Sequence, residues 1–445
     1  MSTPRKRVFL FFSIVLFLAS WHLFGGGNDN VTSRGAMVAS IVEHGTLNID
    51  AYAEHAGDKA LINGHYYSEK APLPALLVVP FWWAARASGL VDAPLEGRLD
   101  PALIRLGGFL IGSVPFALII TLVWLSLKRV THDARLPPAW AAALPFFGSF
   151  LFIQSGAFFG HLVGAAFLLL AYRAWERENM LTCGAFSGAA VLCEFTVALF
   201  PMYWAFLLLF RRDYRAMGML ALGALPACIL LGTYNMAISG NPFTIGYTHQ
   251  VGYDFMHEAA GFGLPNIHHL WHITFSDYRG LFFYAPVLVA AVLALAMQRD
   301  ALRWWMDPVI VPAILSTIAI SGFGGWWGGW SYGPRYLSAV AVMLFYRCLP
   351  ALVRWTWWTW TSIPLVLFGL LCAFVAKDTV GFSLPTEMKH PLVEVVLPTI
   401  GKSNSDIQWP ILFGANAQWC SLFFLVLFVA GMFALRHLDR RSASM

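Results

Sequence analysis

Between residues 25 and 102 the chain crowds acids, cations and imidazoles into one polar stretch: Asp29, Asp50, Asp58 and Glu69, with Lys59, Lys70, His55 and His65 among them. Such a set has two chemical readings. As a solvated loop it forms surface ion pairs that contribute little. As a confined site, a carboxylate takes a proton from an attacking hydroxyl while ammonium groups hold a phosphate. Any one of these side chains alone reads more simply as solvated, but their density in a single segment favours function for the segment as a whole.

Isolated polar residues elsewhere pose the same choice. Arg335 in GGWSYGPRYL and Arg279 in FSDYRGLFFYAP stand at the starts of apolar runs, either snorkelling to the interface or presenting a fixed cation to a lipid phosphate. His161 follows FIQSGAFFG at a turn, and Glu194 interrupts the apolar stretch VLCEFTV, where a carboxylate needs a partner or a cavity. His268 and His272 share a helical face, but no HExxH accompanies them and no metal site is assigned. The six cysteines show no CxxC spacing and read as small buried apolar residues.

The elements that position these groups must be membrane helices. Hydrophobic residues make up 58% of the 445 and charged residues 12%, against roughly 25% charged in a soluble chain. Mean hydropathy is +0.63. Apolar runs occur near 8–24, 103–127, 138–154, 159–173, 184–198, 198–210, 216–234, 281–298, 308–322, 336–352, 357–375 and 411–435. The expected fold is an all-α polytopic membrane protein with about 12 spans and one membrane domain over 1–445.

Basic clusters follow alternate runs: Arg5-Lys6-Arg7, Lys128-Arg129, Arg173 with Arg177, Arg211-Arg212 with Arg215, Arg299 with Arg303, Arg347 with Arg354, and Arg436 with Arg440-Arg441. Loops rich in Lys and Arg mark the cytoplasm, so both termini are expected inside. The net charge of +5 then reports topology and not a nucleic-acid surface. The loops 25–102, 235–280, 323–335 and 376–410 fall on the outer side. Ala71–Leu90 must remain there as a juxtamembrane or re-entrant element, and the pair 184–198 and 198–210 is the step on which the parity turns. A short amphipathic helix from Thr32 to Glu43, capped by Thr32 or Ser33 and ended by Gly45, is expected along the interface.

Several stretches resemble the GT-C superfamily of membrane-embedded glycosyltransferases, the group that includes protein O-mannosyltransferases and lipid A aminoarabinose transferases. They are Ser33-Arg34 opening a helix after the first span, Gly45-Thr46-Leu47 with Ile49-Asp50-Ala51-Tyr52, Gly57-Asp58-Lys59-Ala60, and NGHYYSEKAPL from Asn63 to Leu73. Later come FFGH ending at His161, YNMAISGNPFTIGY from Tyr234, RGLFFYAP from Arg279, and GGWSYGPRYL.

The resemblance implies a bacterial inner-membrane transferase with its site on the periplasmic or extracellular face. It would take a sugar from a polyprenyl-phosphate carrier and pass it to a lipid, glycan or protein acceptor, with inversion at the anomeric carbon. An acidic residue of the first outer loop would be the base. Asn30 stands where the family commonly has Glu, and Thr46 where it has an acid, so the base lies among Asp29, Asp50 and Asp58, with Asp50 and Asp58 in the better-matching stretch. Lys70, in a stretch similar to the YFEKPPL of the aminoarabinose transferases, is the first residue expected at the phosphate and Arg335 the second. Glu69, Lys59, Arg34, His65, Tyr67, His161 and Arg279 complete the expected substrate contacts. No cofactor is required, and a divalent metal is compatible but not demanded. The competing readings are a transporter or flippase of a lipid-linked sugar, which needs polar groups at mid-depth, and a non-catalytic scaffold, which leaves the first loop unexplained.

Overall fold

The computed structural model describes residues 3–91, 97–130, 136–298, 304–354, 356–381, 384–402 and 407–440. All twelve apolar runs fall on helices. The chain begins with α1 (Thr3–Ala19), α2 (Asp29–Ala39), α3 (Leu73–Ala87) and α4 (Pro101–Gly107), which continues through one π-helical stretch into α5 (Val114–Val130). Next come α6 (Pro138–Phe147), α7 (Phe150–Gln154), α8 (Gly160–Trp175), α9 (Met180–Cys193), α10 (Leu199–Phe210) and α11 (Tyr214–Ser239). After a long connection follow α12 (Ile267–Thr274), α13 (Leu281–Tyr284), α14 (Val287–Ala296), α15 (Ile310–Ser321), α16 (Ser338–Arg354), α17 (Thr356–Thr379) and α18 (Ala417–Arg440). Among the described residues the only strands are a hairpin, β1 (Lys59–Ile62) and β2 (His65–Ser68).

Five helical stretches, Pro101–Val130, Tyr214–Ser239, Arg335–Arg354, Trp360–Thr379 and Ala417–Asp439, are long and apolar enough to cross a membrane, and six shorter apolar helices accompany them. The chain is an all-α polytopic membrane protein. One of the shorter six is α3. Its 15 residues reach about 22 Å, short of the ~30 Å hydrocarbon layer.

Polar contacts gather the basic flanks at one end of the bundle. Tyr346 donates to Glu176 at 2.9 Å, Arg347 pairs with Asp307 at 2.9 Å, and Asp439 accepts from Trp124 at 2.8 Å and from the Ala139 amide at 2.9 Å. Arg173 donates to the Leu122 carbonyl at 3.0 Å. Of the basic clusters, Arg299, Arg303 and Arg441 lie outside the described residues. The 184–210 run is two helices: extended backbone at Glu194 (φ −157°, ψ 108°) breaks it. The start of α9 and the end of α10 line one crevice at the basic end, so the two helices double back.

Close packing behind the site uses small residues. A Cβ on Gly184 would lie 2.0 Å from the Leu220 carbonyl of α11, and one on Gly223 2.0 Å from the Leu181 carbonyl of α9. Glycine faces let these two backbones touch, the usual route to helix association in lipid.

The first-loop helix departs from expectation in two ways. It begins at Asp29, capped by Asn28, whose side chain accepts from the Asn30 amide at 3.2 Å, and not at Thr32 or Ser33. It also does not lie along an interface with one face open, because Asn30 through Ser40 are all buried. α3, α4 and the hairpin pack around it. Gly45, in the left-handed region (φ 66°), ends it as expected.

Candidate active site

The hairpin builds the polar cluster. Asn63 and Gly64 both take positive φ (52° and 85°), the backbone of a two-residue type I′ turn that Asn-Gly favours. The register sets Lys59 opposite Ser68, which brings Asp58, just before β1, level with Glu69 and Lys70, just after β2. Lys70 Nζ lies 2.8 Å from Asp58 Oδ2 and 2.5 Å from Glu69 Oε1, with all three side chains buried. Burial opposes the ammonium, yet Asp58 and Glu69 outweigh it and hold the Lys70 pKa well above its ordinary value. Burial pushes Glu69 up to about 7, against the pull of Lys70. A hydrogen bond of 2.8 Å between Ser33 and Ser68 fastens the hairpin to α2.

Two buried arginines complete the cationic wall. Arg34, one turn into α2, donates to the Asn30 carbonyl at 3.4 Å and to the Asn30 side chain. Arg335 lies over the rings of Phe159 and Tyr336, 5.2 Å from each centroid. Neither has a carboxylate within ion-pair distance among the described residues, and each keeps a buried Nε without a partner. The glycine loop wraps Arg335: Gly328 and Gly329 have positive φ (78° and 62°), and a Cβ on Gly328 would lie 3.1 Å from Arg335 Cγ. Arg279 braces that loop from behind, donating to the Trp327 carbonyl at 3.1 Å and the Gly329 carbonyl at 3.4 Å.

These groups line one end of a cavity of about 550 Å³, together with Asn30, His161, Glu194, Tyr247, Tyr253 and Tyr336. His161 Nδ1 is 2.7 Å from Glu194 Oε2. Ser68, Thr196, Tyr234, Asn235 and Thr244 add polar groups, and a large part of the rest is apolar: Leu231 and Ile238 of α11, Phe243, Ile245, Phe255, Phe262, Ile320 and Phe323. Phe243 is 86% exposed and Ile245 51%, so the apolar wall runs out to the surface; α11, which supplies Leu231 and Ile238 to that wall, also exposes Leu225 and Ile229. A cationic pocket continuous with an apolar, lipid-facing flank is shaped for an amphiphile with an anionic head.

The expected site residues divide. Asp58, Glu69, Lys70, Arg34, His161 and Arg335 line the cavity. Asp29 stands beside it and is itself exposed: a Cβ on Gly57 would come 2.3 Å from its Cγ. Partial loss of water first, and then Asp58, raise its pKa above the ordinary value. Asp50 lies outside the lining, at the turn end of the hairpin, where it accepts from the Tyr66 amide at 2.7 Å and meets His65 Nδ1 at 2.7 Å. Lys59 donates to the Ala53 carbonyl and lies 5.0 Å from the Tyr66 ring centroid. Tyr67 is half-buried off the cavity, and Arg279 serves the glycine loop.

The sequence marks neither Tyr247, whose ring centroid is 5.5 Å from Lys70 Nζ, nor Tyr253 and Tyr336 as site residues, and it marks Asn30 only as a departure from the family's acid. Only the stretch ending at Tyr247 hinted at the first. His268 and His272 stack at 5.3 Å. Among the described residues no group of three or more His, Cys, Asp or Glu side chains is placed to hold a metal ion.

The crystal structure of ArnT from Cupriavidus metallidurans bound to undecaprenyl phosphate matches the chain with a TM-score of 0.51 at 16% sequence identity, covering 99% of this chain and 77% of ArnT. The chain thus shares the overall fold of ArnT. No family model and no curated protein sequence matches it.

Proposed function

We propose that the chain is a GT-C glycosyltransferase that moves a sugar from a polyprenyl-phosphate carrier to a lipid, glycan or protein acceptor. One observation carries the reading: two buried arginines without ion-pair partners among the described residues and the Lys70 cluster close one end of a cavity whose apolar wall opens on the lipid-facing flank. A phosphate would meet the cations while its polyprenyl chain lies along α11. ArnT, whose fold the chain shares, was solved with undecaprenyl phosphate bound. The basic clusters gather at the opposite end of the bundle, which supports a site on the outer face of a bacterial inner membrane with both termini cytoplasmic.

Asp29 is the base this geometry favours. The Asp58 carboxylate is already engaged by Lys70 at 2.8 Å. Asp29 has no ion pair among the described residues and its pKa is raised. It would deprotonate the acceptor as the acceptor oxygen attacks the anomeric carbon, and the carrier phosphate would leave against Lys70, Arg34 and Arg335. A single displacement inverts that carbon. The test is transfer of radiolabelled sugar from a panel of polyprenyl-phosphate donors by the purified protein in nanodiscs. Turnover with any donor supports the reading, and neither turnover nor donor binding across the panel rejects it.

A further inference from the structure

The cavity holds one more ionisable unit, which the transfer step as described leaves idle. The extended backbone at Glu194 turns the chain back through Phe195–Ala198 and aims its carboxylate at the start of α8. Two glycines one turn apart let that break approach α8. A Cβ on Gly160 would lie 2.4 Å from the Cys193 carbonyl, and one on Gly164 3.2 Å from Glu194 Cβ. Glu194 Oε2 therefore reaches His161 Nδ1 at 2.7 Å, while Thr196 donates to Oε1 at 3.2 Å.

Glu194 thus fixes the ring by Nδ1 and leaves Nε2 buried without a hydrogen-bond partner. An unpartnered ring nitrogen in a closed site is costly unless a ligand meets it. The charged and titratable groups that face it are Arg34 of α2, Arg335 and Tyr336 at the start of α16, and the Asp58–Glu69–Lys70 cluster with Tyr247 across the cavity. The arginines place His161 at the phosphate end, and its ring meets Tyr336 edge-on at 5.9 Å.

We propose that the His161–Glu194 dyad is the general acid of the transfer, giving the Nε2 proton to the departing phosphate; this rests on the glycosyl-transfer reading of the same site. The acceptor oxygen bonds to the anomeric carbon as the bond from that carbon to the phosphate oxygen breaks. The bonding pair stays on the phosphate oxygen, the His161 proton follows it, and the acceptor proton goes to Asp29. Polyprenyl phosphate leaves as the monoanion, and the neutral imidazole is reprotonated from solvent. The match is chemically apt, since imidazole (~6.5) and the second phosphate ionisation (about 6) have similar proton affinities. Glu194 is the counter-charge to the imidazolium, opposed by burial and by Arg335 and Arg34.

The experiment is the pH profile of kcat for wild type, His161→Asn, His161→Gln and Glu194→Gln in nanodiscs, with KM for the donor and thermal unfolding measured alongside. Wild type should lose kcat as pH rises through the dyad's ionisation. Glu194→Gln should move that falling limb about one unit or more to lower pH, because the imidazolium loses its counter-charge. His161→Asn and His161→Gln should remove the limb and lower kcat about 100-fold with donor KM little changed. Folded His161 variants that keep the wild-type limb, or lose an acidic limb instead, overturn the proposal. A wild type that transfers nothing overturns the parent reading instead.

Discussion

At the turn end of the hairpin, Asp50 holds His65 at 2.7 Å with the two side chains 40% and 55% exposed. At the open end Asp58 holds Lys70 at 2.8 Å, and these are 7% and 9% exposed. The residue types and distances are nearly the same, and the two ends are only about 10 Å of strand apart. What differs is what covers them. Water screens the Asp50 pair, which stabilises by roughly 0.2–1 kcal/mol. α2 and the cavity wall enclose the Asp58 pair, where each charge depends on the other and on whatever enters the cavity. Around the hairpin, burial and not residue type sets the two ion pairs apart.

The sharpest way to widen that contrast is Lys70→Met. It should lower kcat about 100- to 1000-fold, as loss of one preorganised charge at a departing oxyanion does, in the nanodisc transfer assay. Gly57→Ala should be next. Its new Cβ must displace the Asp29 carboxylate, and a misplaced base costs about 100-fold in kcat with donor KM nearly intact. A wild-type KM with a wild-type kcat would show that Asp29 does not act.

The acid side of the wild-type profile offers a third check. Because the Asp29 pKa is raised above its ordinary value, it protonates sooner as pH falls. The rate should therefore drop at a higher pH than for a solvated aspartate, and Gly57→Ala should move that limb. At Gly64, where φ is 85°, substitution by Ala should cost about 1 kcal/mol through the strained turn, read as a lower unfolding temperature with activity falling in proportion to folded protein. Least of all, Asp50→Asn should change kcat less than about twofold, as loss of a surface pair does.

Much of the fold was legible because hydropathy is a local property: each apolar run needs no partner to announce a helix. The doubling back at Glu194 was not, since a helix break and a kinked helix read alike in VLCEFTV. The hairpin did carry a local signal in Asn63-Gly64, which the charges around it masked. The site divides the same way. Lys70 is marked by its likeness to the family stretch, and Arg335 and His161 by type and setting, but the meeting of Arg34, His161, Glu194 and Arg335 joins distant parts of the sequence, and no spacing reports it. Asp50 and Asp58 lie in the better-matching stretch, and only the hairpin register sends them to opposite ends, Asp58 to the cavity and Asp50 to the turn.

The account rests on which carboxylate takes the acceptor proton. The direct measurement is single-turnover transfer in nanodiscs by Asp29→Asn and Asp50→Asn, with bound donor quantified in each. The account predicts that Asp29→Asn binds donor but transfers about 100-fold or more slowly, while Asp50→Asn matches wild type. Loss of transfer in Asp50→Asn with Asp29→Asn unimpaired would contradict it.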